Sequence, residues 1–278
     1  MVGLEGVCMI PVDRPSWPAG VRAQLNPYRV GLRLILDRTH WDLWPGSWVH
    51  RKKLKVLRNT HVEEKAIILC NGPSLNDVDF SALGSIFTFG LNKINLLFRQ
   101  TDFRPSAIVS VNPFVIEQNI DFFSSTDIPL FLDHRATSYG LSSKRHVHFL
   151  YSCAFPYFAQ DCSVSIFQGY TVTYVALQLA YHMGFRKVAL VGCDHDFNMA
   201  GNPNAITYNE SRDPGHFCED YFSPNQPWQF PDLKGSEYYY DLARRCYHEN
   251  GGVVVNASTK TRLDVFPFMR LEDFIHNA

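Results

Sequence analysis

The stretch that most restricts this chain is Ala66-Ile67-Ile68-Leu69-Cys70, an apolar run that stops abruptly in Asn71-Gly72-Pro73-Ser74. A short apolar run bounded by turn residues reads as a strand buried on both faces, the setting of a parallel sheet. Parallel strands need crossover connections, so the rest of the chain must alternate strands with helices. At the carboxyl end of such a strand, a loop of small polar residues is where open α/β sheets receive a ligand.

The expected alternation follows. Further strands are predicted over 86–91, 107–111, 128–132, 146–151, 187–191 and 253–255, with helices or turns over 77–83, 93–99, 114–122, 170–183, 233–250 and 271–275. Thr171 or Thr173 suits the N-cap of the 170–183 helix, and Gly184 lies just past its end. The expected fold is therefore α/β: a Rossmann-like, mainly parallel, doubly wound sheet. Residues 195–231 carry Pro, Gly, Asn, Tyr and His without periodicity. A loop that long inside a compact domain reads as a lid insertion.

Two segments are expected: an extension over 1–62 and the sheet domain over 63–278. The extension holds four of the five Trp (Trp17, Trp41, Trp44, Trp48) and the basic run Arg51-Lys52-Lys53-Leu54-Lys55-Val56-Leu57-Arg58. It reads either as helices with a solvated charged face or as a peripheral membrane or partner-docking element. The formal net charge is -1, which argues against broad nucleic-acid binding. The seven Cys (Cys8, Cys70, Cys153, Cys162, Cys193, Cys218, Cys246) include no CxxC pair, so reduced thiols are expected. Met1 to Pro11 lacks the basic flank and long apolar region of a signal peptide, and no apolar run approaches the roughly 20 residues of a spanning helix. The expected location is cytoplasmic, with contact to the inner face of the membrane through the N-terminal segment.

Four expected strands end in polar landmarks: Asn71, Asn92, Asn112 and Asp194. In a parallel sheet these ends share one edge, although each Asn alone could be an ordinary turn-former. The first loop has neither the Gly-x-Gly-x-x-Gly dinucleotide pattern nor a P-loop Lys-Ser/Thr, so a standard dehydrogenase and a P-loop kinase are unsupported. Asp194-His195-Asp196 could hold a divalent metal through carboxylates. The reading preferred is Asp194 as a ligand partner with no metal required. His216, in the long loop, could take a proton from a hydroxyl nucleophile. Tyr208 and Tyr221 flank it and could donate to a leaving phosphate; loop packing explains them as well.

Asn71-Gly72-Pro73-Ser74-Leu75 with Val78-Asp79-Phe80, then Asn92, Val111-Asn112-Pro113 with Glu117-Gln118, Gly184-Phe185-Arg186-Lys187-Val188, Gly192-Cys193-Asp194, Gly215-His216-Phe217 and Asn256-Ala257-Ser258, resemble a bacterial glycosyltransferase group. This group covers the lipooligosaccharide sialyltransferases, the motility-associated flagellin glycosyltransferases and the 6-hydroxymethylpterin pyrophosphokinase-like proteins. The resemblance spans about residues 65–270. It implies a sialyltransferase-type variant of the Rossmann-like fold and an inverting transfer of a sugar, sialic-acid-like or other. The implied donor is CMP-activated, the acceptor is a hydroxyl of a glycan or protein, and no metal cofactor is obligatory. Asn71, Gly72, Pro73, Ser74 and Asn92 would hold the nucleotide and its phosphate, Asn112 the donor sugar or phosphate, and Asp194 would lie near the nucleotide. His216 would be the general base and Tyr208 would assist the leaving phosphate. Gln168 and the Thr171 to Thr173 region stand where the group has Arg and Ser, which would grip a sugar carboxylate. Two alternatives remain at this point: a pterin pyrophosphokinase using ATP and magnesium, and a nucleotide-binding module without catalysis.

Overall fold

A computed structural model describes residues 26–141, 144–196, 203–208, 215–222 and 226–276. Cys8, Trp17 and the rest of 1–25 lie outside the described residues, as do 197–202, 209–214 and 223–225 of the expected lid. The chain divides into two compact units, 1–44 and 45–278.

In the first unit, α1 (Pro27–Leu43) starts at Asn26, whose side chain accepts from the Tyr28 and Arg29 amides, with Pro27 in the first turn. The second unit opens with α2 (Pro45–Leu57). The two compact units divide between Trp44 and Pro45. The physical reason is that α2 is tied to the sheet domain: Lys53 donates to the Lys144 and Val147 carbonyls, and His182 bonds the Leu54 carbonyl at 2.8 Å.

Seven parallel strands form one sheet, in the order β5-β4-β3-β2-β1-β6-β9. They are β1 (Lys65–Leu69), β2 (Phe87–Leu91), β3 (Ala107–Ser110), β4 (Leu130–Asp133), β5 (Val147–Leu150), β6 (Lys187–Val191) and β9 (Val253–Asn256). Ala66 to Leu69 are all fully buried, as an apolar strand covered on both faces must be. Register is in step along β1: Ile67 pairs with Thr88 on one side and with Ala189 on the other. The chain runs outward from β1 to β5 and then returns to lay β6 on the other flank of β1. The sheet thus has a switch point between β1 and β6.

The return passes through α5 (Val172–Met183). Thr171 caps it, its hydroxyl accepting from the Thr173 amide, and every residue from Thr173 to Met183 is buried. A helix apolar on all sides belongs in the core. Of its buried polar residues Thr173, Gln178 and His182, Gln178 is fully satisfied: its oxygen accepts from the Ala159 and Phe167 amides, and its nitrogen donates to the Phe167 and Tyr174 carbonyls. The amphipathic α6 (Leu233–Glu249) packs on α5 through Tyr247, whose hydroxyl donates to the Leu177 carbonyl.

On the way out from β1 the crossovers are short. Turns of 3-10 helix cover Pro73–Asp77, Phe80–Leu83 and Ile94–Arg99, and the expected 114–122 helix is two, α3 (Pro113–Gln118) and α4 (Ile120–Ser125). The lid contains a small antiparallel hairpin, β7 (Ile206–Tyr208) with β8 (Pro227–Gln229). Segments of three residues are too short for alternation to reveal them. The described chain ends in α7 (Leu271–His276).

Candidate functional site

The carboxyl ends of β1 and β6 are drawn together at the switch point. The Cys70 amide donates to the Val191 carbonyl and the Gly72 amide to the Gly192 carbonyl, both at 2.8 Å. The approach requires glycine at 72: a Cβ there would sit 2.6 Å from the Gly192 oxygen and 2.7 Å from the Asp194 carboxylate. Asp194 is turned back into this junction, where it accepts from the Ser74 amide at 2.8 Å and from the Ser74 hydroxyl. Burial raises the Asp194 carboxyl above its usual range, and the two Ser74 hydrogen bonds oppose that rise. Ser74 and Asp194 satisfy each other and brace the junction.

Above the junction lies a cavity of about 270 Å³. Asn71, Gly72, Asn92, Asn112, Thr171, Thr173, Asp194 and His216 all line it. Pro73, Ser74 and Tyr208 are not part of the wall. Pro73 opens a 3-10 turn, Ser74 is buried behind it, and Tyr208 stands on β7 with 61% of its surface exposed.

The strand-end asparagines do different work. Asn112 is the N-cap of α3, accepting from the Phe114 amide, and it also donates to Gln229 of β8 at 3.3 Å. Asn92 sits at φ 51°, in the left-handed region that asparagine tolerates, and its side-chain oxygen accepts from Ser110. The Asn71 carbonyl accepts from the Phe217 amide of the lid, and its side-chain Oδ1 is buried with no hydrogen-bond partner. Trp228, 5% exposed on the lid side of the cavity, has its Nε1 donor in the same condition. Both residues line the cavity, and these two polar atoms are themselves buried beneath its surface.

Backbone strain gathers at the same place. Among the described residues, six non-glycine residues have left-handed φ, and Asn92, Tyr170, His195 and Asn204 of these line the cavity. Such conformations persist where surrounding structure enforces them, commonly at functional sites. Tyr170 follows Gly169 (φ 57°) at φ 61°, just before the α5 cap. Burial, and after it the Asp232 carboxylate, raises the Tyr170 phenol, and burial raises Tyr240 well above its usual value. Both tyrosines line the cavity as protonated donors. Tyr170, unlike Tyr208, lines the cavity. Tyr170 was hidden in sequence because nothing in Gln168-Gly169-Tyr170-Thr171 announces its turn except Gly169.

The lid is seated by polar contacts to the strand ends. Asn76 donates to the Phe217 carbonyl, Gln118 to the Pro227 carbonyl, and Lys93 to the Tyr221 carbonyl at 2.8 Å, with its ammonium 5.0 Å from the Phe222 ring. The His216 ring lies flat on Tyr221, with centroids 4.0 Å apart and planes 6° apart. This stack holds the imidazole at the cavity wall.

Asp194-His195-Asp196 does not converge. Asp194 faces Ser74, His195 contacts Glu237 at 2.9 Å, and Asp196 faces Arg262 at 3.3 Å. Among the described residues no group of three or more His, Cys, Asp or Glu is arranged to hold a metal. The six cysteines among the described residues carry no disulfide. Among the described residues, no helix is long and apolar enough to cross a membrane.

Residues 47–199 match the family described as 6-hydroxymethylpterin diphosphokinase MptE-like. Among solved structures, the MAf glycosyltransferase from Magnetospirillum magneticum AMB-1 is similar, with 14% identity, a TM-score of 0.49, and 81% of this chain covered. The chain spans 38% of the length of that protein. No curated protein matches the chain.

Proposed function

We propose that this chain, which belongs to the 6-hydroxymethylpterin diphosphokinase MptE-like family, is an inverting glycosyltransferase that moves a sugar from a CMP-activated donor to a hydroxyl acceptor. The observation that carries this reading is the composition of the cavity wall at the switch point. It combines Asn71, Asn92, Asn112, the protonated Tyr170 and the lid histidine His216 with the carboxylates of Asp194, Asp196 and Asp232, and its described residues include no Lys or Arg. Neutral donors suit a ligand with a single phosphate better than the several charges of a triphosphate, which need cations close by.

In this reading Asn71 and the β1 loop hold the nucleotide, and Asn92 and Asn112 face the donor sugar. His216 takes the acceptor's proton as its oxygen attacks the anomeric carbon. The bond from that carbon to the phosphate oxygen breaks through an oxocarbenium-like transition state. The proposed donor to the leaving phosphate is the Tyr170 hydroxyl, since a fixed donor stabilises the charge that develops there. The lid, held by Lys93 and Gln118, excludes water, so that transfer outruns hydrolysis.

The family description favours a second reading, a pterin diphosphokinase using ATP and magnesium. The carboxylates present do not fit such a metal: Asp194 is taken up by Ser74 and Asp196 faces Arg262. Thermal shift against CMP, CDP, UDP, GDP and ATP, with and without magnesium, separates the two. CMP and its sugar conjugates are expected to raise the melting temperature without magnesium. A shift from ATP with magnesium alone overturns the proposal. With a donor in hand, His216→Ala is expected to keep the CMP shift and to lose transfer by at least about a hundredfold. Normal transfer by that variant would remove the histidine from the mechanism.

A further inference from the structure

Two helices outside the cavity carry apolar side chains on their solvent faces. On α2, Ser47, His50 and Leu54 point inward and are buried. The opposite face presents Trp48 (61% exposed), Val49 and Val56 (67%), with Lys52 and Lys55 exposed among them. α2 contains Arg51, Lys52, Lys53 and Lys55 and no acidic residue. On α1, taken by itself, Tyr28, Leu32, Ile35, Leu36 and Leu43 are exposed, and they recur at the three- and four-residue steps of one helical stripe. Arg29, Arg33 and His40 flank that stripe and are exposed.

The charge is concentrated here as well. Residues 26–58 hold eight Lys and Arg against two Asp, in a chain whose formal net charge is -1. Such an asymmetry marks a segment built for an anionic partner. The apolar residues decide which one. A phosphate backbone is gripped by basic side chains and gains nothing from Val56 or Leu32. The headgroup region of a bilayer takes up Trp, Leu, Ile and Val on one side and Lys and Arg on the other.

We propose that α1 and α2 each bind an anionic lipid surface, lying in its plane with Trp48, Val49 and Val56 of α2 and the Tyr28–Leu43 stripe of α1 at the acyl boundary. Lys52, Lys55, Arg29 and Arg33 meet the lipid phosphates. This contact does not depend on the donor reading, because neither face includes a residue of the cavity.

The test is flotation of the full chain with vesicles of phosphatidylcholine alone and of equal parts phosphatidylcholine and phosphatidylglycerol. The protein is expected to float with the mixed vesicles only, and to be released by high salt. The K52Q/K55Q variant should partition about thirtyfold more weakly, at about 1 kcal/mol for each basic side chain at the surface. W48A/V56A and L32S/I35S should each float less. All three variants should keep the wild-type melting temperature and the wild-type nucleotide shift, which separates lost binding from lost folding. Absence of flotation by the wild type, equal flotation with neutral vesicles, or undiminished flotation of all three variants overturns the proposal. A concentration-dependent dimer that W48A/V56A dissolves, with no vesicle binding, would give the face to a second copy of the chain and overturn it too.

Discussion

Gly72 shows how little space separates the two halves of the site. Its φ of -70° is ordinary, so the demand for glycine comes from the neighbouring Gly192 oxygen and Asp194 carboxylate. Gly72→Ala is expected to cost about 1–3 kcal/mol by overpacking, seen as a lower denaturant midpoint, and to weaken nucleotide binding because the β1 and β6 loops must part. The Asn71-Gly72-Pro73-Ser74 loop was legible in sequence because an apolar run ended there. Its inner wiring was not: Ser74 donates to Asp194, a residue 120 positions away. Asn112 both caps α3 and lines the cavity. Trp228 and Tyr170 escaped notice because burial and left-handed φ are properties of the folded chain, and nothing local encodes them.

At the scale of elements, one of the contacts that fasten the lid is a buried amine. Lys93 is 5% exposed and bonds the Tyr221 carbonyl beneath the Tyr221 and Phe222 rings. A hydrogen bond from a charged donor is worth about 1.5–3 kcal/mol. Lys93→Met should therefore speed amide exchange at Phe217 and Tyr221 and leave the exchange of β1 and β6 unchanged. Undisturbed exchange at the lid amides would show that the rings alone hold it. The strands were the readable elements, since a run buried on both faces is apolar throughout. The lid hairpin and the break between α3 and α4 were not, because each piece is three to six residues long and carries no usable period.

At the scale of the whole molecule, the edge of the sheet controls the response to acid. β5 is an edge strand whose outward backbone groups are met by α2: the Phe149 amide donates to His50 Nδ1, and Lys53 donates to the Val147 carbonyl. Burial first, and then the charge of Lys53, lowers both His50 and His148 to about 4, and burial lowers His182. The unfolded chain takes up these protons near the ordinary histidine value of about 6.5, whereas the fold refuses those of His50 and His148 until about 4. Stability that is complete above pH 6.5 should fall as pH drops from 6.5 toward 4. Melting temperatures across that range should show net proton uptake on unfolding, and His148→Phe should flatten the slope. The parallel sheet was legible from the alternation of elements. Which strand lay beside β1 was not, because pairing partners leave no mark in the order of the chain.

That topology also has a consequence in time. β1 to β5 can join in the order in which they are made, each finding its predecessor nearby. β6 must close on β1 across the whole of the intervening chain, as in the pairing of Lys65 with Lys187. Contacts so distant in sequence form slowly. Until Lys187 to Val191 has been synthesised, β1 waits with one open side, and a growing chain carries an unpaired, wholly apolar strand edge. The cavity comes into being only when that side closes, so binding of the proposed nucleotide would report that folding is complete.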